Sequence, residues 1–219
     1  MAISYIGTLA TASANQSSLS RSNTQIDALS PQVGDITVAC FFKQNENTQT
    51  VSGTGWNPYA TLVGSGCRMT IATRVHDGTS QTVTISSTGS TECRLIVFIL
   101  RGSAVGVISA NKNNSGSSST HTCPSSDAFA ADGAAVYVAM TAANDSYSTT
   151  SGWSEQYSAG GNDTSAYVAV KSVTAGNASG AWSAAGPNDE FLNAILTVYE
   201  NEPLSIIPHV MHYRRMMGA

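Results

Sequence analysis

The sequence predicts an all-β chain, and three observations carry that expectation. Runs of β-branched and aromatic residues recur along it, separated by clusters of Gly, Asn, Asp and Ser. No apolar spacing of 3.6 residues persists for about ten residues anywhere. Ser and Thr form roughly a quarter of the 219 residues, Gly numbers 19, and charged residues are 11%, against about 25% in an ordinary soluble domain.

Strands are expected near residues 2–9, 24–29, 35–43, 67–76, 81–87, 93–101, 105–110, 134–142, 164–173, 178–184 and 191–200. In ITVACFF the alternation puts Ile36, Val38, Cys40 and Phe42 on one face and Thr37, Ala39 and Phe41 on the other. Asp77-Gly78, between two such runs, reads as a hairpin turn because both residues tolerate positive φ.

An internal echo sharpens the reading. The blocks GDITVACFF, GTGWNPYATL, CRMTIATRV and ECRLIVFILRG are answered in order by DGAAVYVAM, TSGWSEQY, TSAYVAVKSV and NDEFLNAILTVYE. At one offset of 97, Trp56 answers Trp153, Arg74 answers Lys171, and Leu95-Ile96 answers Leu192-Asn193; the first strand fits one residue further on. A four-stranded half cannot bury both its faces, so two halves must pack together. The expected object is an eight-stranded jelly-roll-like double-sheet β-sandwich over residues 1–200. Its halves, about 1–110 and 128–200, share one core, with the strands of each half dealt across both sheets. The polar stretch 111–127 reads as an exposed connecting loop.

Residues 201–219 differ from the rest. Pro203 and Pro208 oppose regular ladder pairing. Around them stand Leu204, Ile206, Ile207, Val210, Met211, Tyr213 and Met216, with Arg214-Arg215 beside them. Disordered tails are poor in large apolar side chains, so this one reads as an extended docking arm whose listed residues contact a partner.

Chemistry is sparse. The net charge of −4 and pI of about 5.4 argue against a nucleic-acid partner, and no apolar run reaches the roughly 18 residues of a membrane helix. The start lacks the basic leader and apolar stretch of a signal peptide, which points to synthesis in the cytoplasm. Cys40, Cys67, Cys93 and Cys123 show no zinc-ligand spacing and read as buried thiols, with a Cys67–Cys93 or Cys40–Cys93 bridge as the alternative. Asp189-Glu190 is an adjacent acid pair in a turn; no catalytic carboxylate pair, Ser–His–acid set, phosphate loop or calcium loop stands out. His209 and His212 are two ligands without a third. Trp56 and Trp153 invite a sugar-stacking role, but equivalent places in the echo favour shared packing at the sandwich rim. No catalytic, cofactor or metal residue is expected.

The stretch VGDITVACFF, GTGWNPYATLVGSG, MTIATRV and VTISSTGSTECRLIVFILRG resembles small β-sandwich virion proteins of tailed bacteriophages, over roughly residues 2–102. The resemblance implies a noncatalytic structural role in the virion. The expected function is capsid decoration or cement, with a tail- or fibre-associated carbohydrate- or receptor-binding module as the alternative. The expected partners are copies of itself (a trimer first, a dimer second) and the major capsid protein or other virion subunits.

Overall fold

In the computed structural model, residues 3–200 are described apart from 65, 145, 146, 148, 149 and 162; for 13, 14, 103–119, 184–188 and 200 the backbone alone is described. Eleven strands and one short helix follow one another: β1 (Ser4–Arg21), α1 (Asn23–Asp27), β2 (Ile36–Lys43), β3 (Gln49–Ser52), β4 (Asn57–Gly64), β5 (Cys67–Val75), β6 (Val83–Arg101), β7 (Ser103–Cys123), β8 (Gly133–Thr141), β9 (Ser154–Gly161), β10 (Thr164–Val173) and β11 (Trp182–Glu200). They form two antiparallel sheets. The first runs β1-β6-β2-β5-β4 with β3 pairing β6 from the side, and the second runs β7-β11-β8-β10-β9.

The all-β double-sheet architecture is as the sequence predicts, but the dealing of strands is not. Each half of the chain builds one complete sheet, with the same order of equivalent strands in both. A jelly roll carries the chain back and forth between its sheets; here the chain passes between them once, from Arg101 to Ser103. The described residues hold eleven strands rather than eight: the four echoing blocks of each half account for β2, β4, β5 and β6 and for β8, β9, β10 and β11, and β1, β3 and β7 lie outside them.

Register exposes the duplication more sharply than the sequence does. Cys40 faces Ile71 in β5 and Ile96 in β6, as Val138 faces Val168 in β10 and Ala194 in β11. Leu95-Ile96 therefore corresponds to Asn193-Ala194, one residue beyond the expected match, which restores the in–out alternation of the final strand. Backbone closures repeat too: Gln44 N donates to Glu92 O at 3.1 Å, and Ala142 N to Glu190 O at 2.9 Å. A bulge sits at Tyr59 on one edge strand and at Gln156 on the other, 97 residues apart.

Three apolar clusters hold the layers. Ile36, Val38, Cys40, Phe42, Ile71 and Phe98 of the first sheet meet Val136, Val138, Met140, Val168 and Leu196 of the second in a shared inner core. The first sheet's outer face carries Ala39, Phe41, Leu95 and Val97, covered by Leu19, Ile26, Val83 and Ile85. The second sheet's outer face carries an aromatic cluster of Tyr137, Tyr167, Trp153, Trp182 and Phe129. Each such Val, Leu, Ile or Phe contributes about 1.5–3 kcal/mol by leaving water. The outer covers exist because β6 and β11 are far longer than the sheets need. Past a bulge in its pairing with β1, the first part of β6 leaves β2 and takes β3 as its second neighbour, folding over the outer face.

Three local expectations change. Residues 24–29 hold helix α1, not a strand: Ser22 caps the Gln25 amide and Gln25 returns a bond to the Ser22 amide, a capping box. Asp77-Gly78 does not close a hairpin, because β2 lies between β5 and β6 and the segment is a crossover. The stretch 111–127 is no exposed loop in its greater part. Through Cys123 it belongs to β7, whose backbone is paired along β11, with His121 and Cys123 buried. Polar side chains on an edge strand are compatible with pairing and discourage further strands.

Candidate functional site

The arm residues Leu204, Ile206, Ile207, Val210, Met211, Tyr213, Arg214, Arg215 and Met216 lie outside the described residues. The structure does describe the place from which the arm departs. β11 ends at Glu200, and Leu196–Val198 are in cross-strand register with Val136–Ala134 of β8, which pair in turn with Val170–Ser172 of β10.

An open groove of about 410 Å³ lies at that level, on the far side of β10. Ile3, Tyr5 and Val170 supply apolar walls from the two sheets, while Trp153, Lys171 and Ser172 carry the lining round to the outer face. The groove exists because β9 stops short: its pairing with β10 ends at Ser154–Val170, so among the described residues Lys171–Val173 pair with β8 alone. Tyr5 stacks on Phe98 at 5.6 Å between ring centres, and its buried hydroxyl has no hydrogen-bond partner among the described residues. Burial pushes that phenol above its ordinary value.

The two Gly-Trp turns have the shared packing role their spacing implies. Trp56 is buried in the first outer cluster and donates through Nε1 to the Gln81 carbonyl at 3.3 Å; Trp153 is buried in the second. Gly55 and Gly152 precede them at φ +78° and +83°, where a side chain is strained; on Gly55 it would also press on Arg74, whereas on Gly152 it would meet Lys171 at ordinary contact distance. Those two cations do equivalent work. Arg74 donates to the Ser80 carbonyl and to Asp77 at 3.0 Å, and Lys171 donates to the Ser179 carbonyl at 2.6 Å with its ammonium 5.9 Å from the Trp153 ring centre. Each fastens the crossover that follows its strand. The hydroxyl and amide of Thr79, with Arg74, hold the Asp77 carboxyl well below the usual carboxylate range. The tryptophans sit on opposite sides of the shared core and present no common sugar-stacking surface.

A second open cleft, about 630 Å³, is lined by small uncharged residues, Ser52, Gly53, Thr54, Thr79, Ser80, Thr82 and Thr84, whose threonine methyls share the surface with the hydroxyls. It continues the outward face of the first outer cover, where Ser18, Ser86 and Thr50 form one cross-strand row and Ser20, Thr84 and Ser52 the next.

All four cysteines are free and buried, and burial pushes the Cys67 and Cys123 thiols up to about 12. Among the described residues, no three His, Cys, Asp or Glu side chains stand close enough to hold a metal. His121 is buried against Phe191, ring centres 4.3 Å apart, with Nδ1 2.9 Å from the Tyr147 hydroxyl. Asp189 bonds the Glu190 side chain and raises its carboxyl above the ordinary value. The two ends of the stretch 33–102 also meet: Arg101 grips the buried Asp35 carboxylate, the closest contact being 2.9 Å.

Sequence reasoning did not single out Ile3, Tyr5 or Val170. Lys171 had a signal, its match to Arg74, but nothing in one sequence shows where a neighbouring strand stops. Comparison with known proteins gives no match to any family model, to any curated protein or to any solved structure.

Proposed function

We propose that the chain is a noncatalytic structural protein of a tailed-phage virion, and specifically a capsid decoration or cement protein that stabilises the head. The observation that carries this reading is the doubled body. Two sheets of equal topology close on a shared core, each with its own covered outer face, and the chain then runs on into an apolar, basic arm. Such a body is stiff, and an arm that reaches a neighbour adds binding valency over a lattice without enlarging the body. Copies of this chain, as a trimer first and a dimer second, and the major capsid subunit are its partners.

The test compares the full chain with one ending at residue 202. The full chain should co-sediment with phage heads and raise their disruption temperature. The shortened chain should keep its melting curve and lose both effects. Equal binding by the two would overturn the reading.

The hydroxyl-lined cleft favours one second reading, a tail-associated module for neutral glycans. Its uncharged donors and acceptors match the hydroxyls of such a sugar. Saturable binding of a neutral oligosaccharide, weakened by Thr84→Val with Ser52→Ala, would move the assignment to this class.

A further inference from the structure

We infer that the groove between β1 and β10 receives the segment Leu204–Ile207 from the arm of a second copy, which adds there as a short strand. The inference rests on the self-assembling role proposed above and names the receptor for its arm. Three features of the groove ask for a strand. Lys171–Val173 present a sheet edge that β9 leaves unpaired, and backbone groups on an open edge pair readily with an extended chain. Ile3, Tyr5 and Val170 offer apolar contact beside that edge. Tyr5 is held in place by its stack on Phe98, so that wall of the groove is already formed.

The arm carries the matching element. Pro203 and Pro208 bracket Leu-Ser-Ile-Ile, a β-favouring run whose ladder pairing is confined by the prolines to those four residues. That length suits a three-residue gap. Alternation sends Leu204 and Ile206 to one side and Ser205 and Ile207 to the other.

Reach decides whose arm it is. From β11 to the empty place beside β10 is three strand spacings, about 14 Å. The four residue steps from Glu200 to Leu204 extend over at most about 14 Å, which leaves no length for the reversal of direction that β11 would also have to make. A chain therefore cannot bring Leu204 into its own groove, whereas a neighbour suitably placed can.

The test uses the full chain with a photo-cross-linking amino acid at Ile206, prepared in light and isotopically heavy batches that are mixed before irradiation. Light–heavy cross-links at Ile3, Tyr5 or Val170–Ser172 are the expected result. Ser172→Trp, at an exposed position that fills the groove, should weaken self-association by about tenfold or more with unchanged circular dichroism. Light–heavy cross-links elsewhere would overturn the groove assignment and leave the assembly role standing. Cross-links confined within one copy would overturn the exchange. A full chain that stays monomeric at every concentration and on phage heads would overturn the role itself.

Discussion

Arg94 offers the sharpest energetic test of how the two sheets hold together. It stands on β6, almost fully buried, and reaches into the other sheet at the β9–β10 turn. Its Nη2 donates to the Gly161 carbonyl at 2.9 Å and the Thr164 carbonyl at 2.7 Å, and Nε donates to Thr164 Oγ1 at 3.2 Å. Arg94→Met keeps much of the stem's packing and deletes all three bonds. The Gly161 carbonyl retains the Thr164 hydroxyl, 3.2 Å away. Each of the three charge-assisted bonds lost costs about 1.5 kcal/mol or more. Against this, the variant no longer buries a cation, whose desolvation already draws the guanidinium below its ordinary value. The balance is a loss of about 3 kcal/mol, or roughly 6–12 °C in Tm for a chain of this size. Urea unfolding followed by circular dichroism should show the midpoint fall with an unchanged slope. A loss under about 1 kcal/mol would mean that water replaces the guanidinium and that this contact does not tie the sheets.

Other outcomes follow from single positions. Gly133→Ala should cost about 3 kcal/mol or block folding, since its Cβ would stand 2.3 Å from the Val198 carbonyl, whereas Gly152→Ala, at φ +83° and 3.8 Å from Lys171, should cost about 1–2 kcal/mol; thermal melts would rank them. Ellman's reagent should find no reactive thiol in the native protein and all four in urea, because the cysteines are free, buried and raised in pKa. The depressed pKa of Asp77 stabilises the fold fully above its unfolded value near 3.8 and is lost as pH falls through the folded value. Asp77→Asn should therefore flatten the acid limb of the stability curve below about pH 4, and an unchanged limb would contradict the assignment.

How legible the fold was depends on what the pattern of a strand encodes. Alternation in 36–42 told which side chains share a face, and the structure divides them between inner and outer clusters as expected. That both faces are buried was written in a different signal, the near-unbroken apolar runs of β2 and β8, which are covered front and back. Partner choice is also silent in alternation: the echo showed two equal halves, but a half that fills its own sheet and a half dealt over two give the same residues. Ser22-x-x-Gln25 carried a helix signal that the apolar spacing concealed. The edge strands β4 and β9 were marked by their place in the echo alone, because half-exposed edges take polar, small residues. Of the candidate site, the apolar character of residues 201–219 is a matter of composition, while the receptor proposed for them depends on β9 stopping at Ser154, which is set by the turn before it and by no residue type within the groove.

The contrast between the two outer covers has a spectroscopic consequence. Trp153 and Trp182 stand among tyrosines on one side, Trp182 with its ring centre 4.0 Å from that of Tyr137, whereas Trp56 lies on the other in a cluster that is aliphatic but for Phe41 and Cys93. Near-ultraviolet ellipticity will therefore be dominated by the second half. A probe confined to Trp56 can report the first cover lifting while the central layer stays shut, so partial opening on either side of the molecule can be watched separately in one polypeptide.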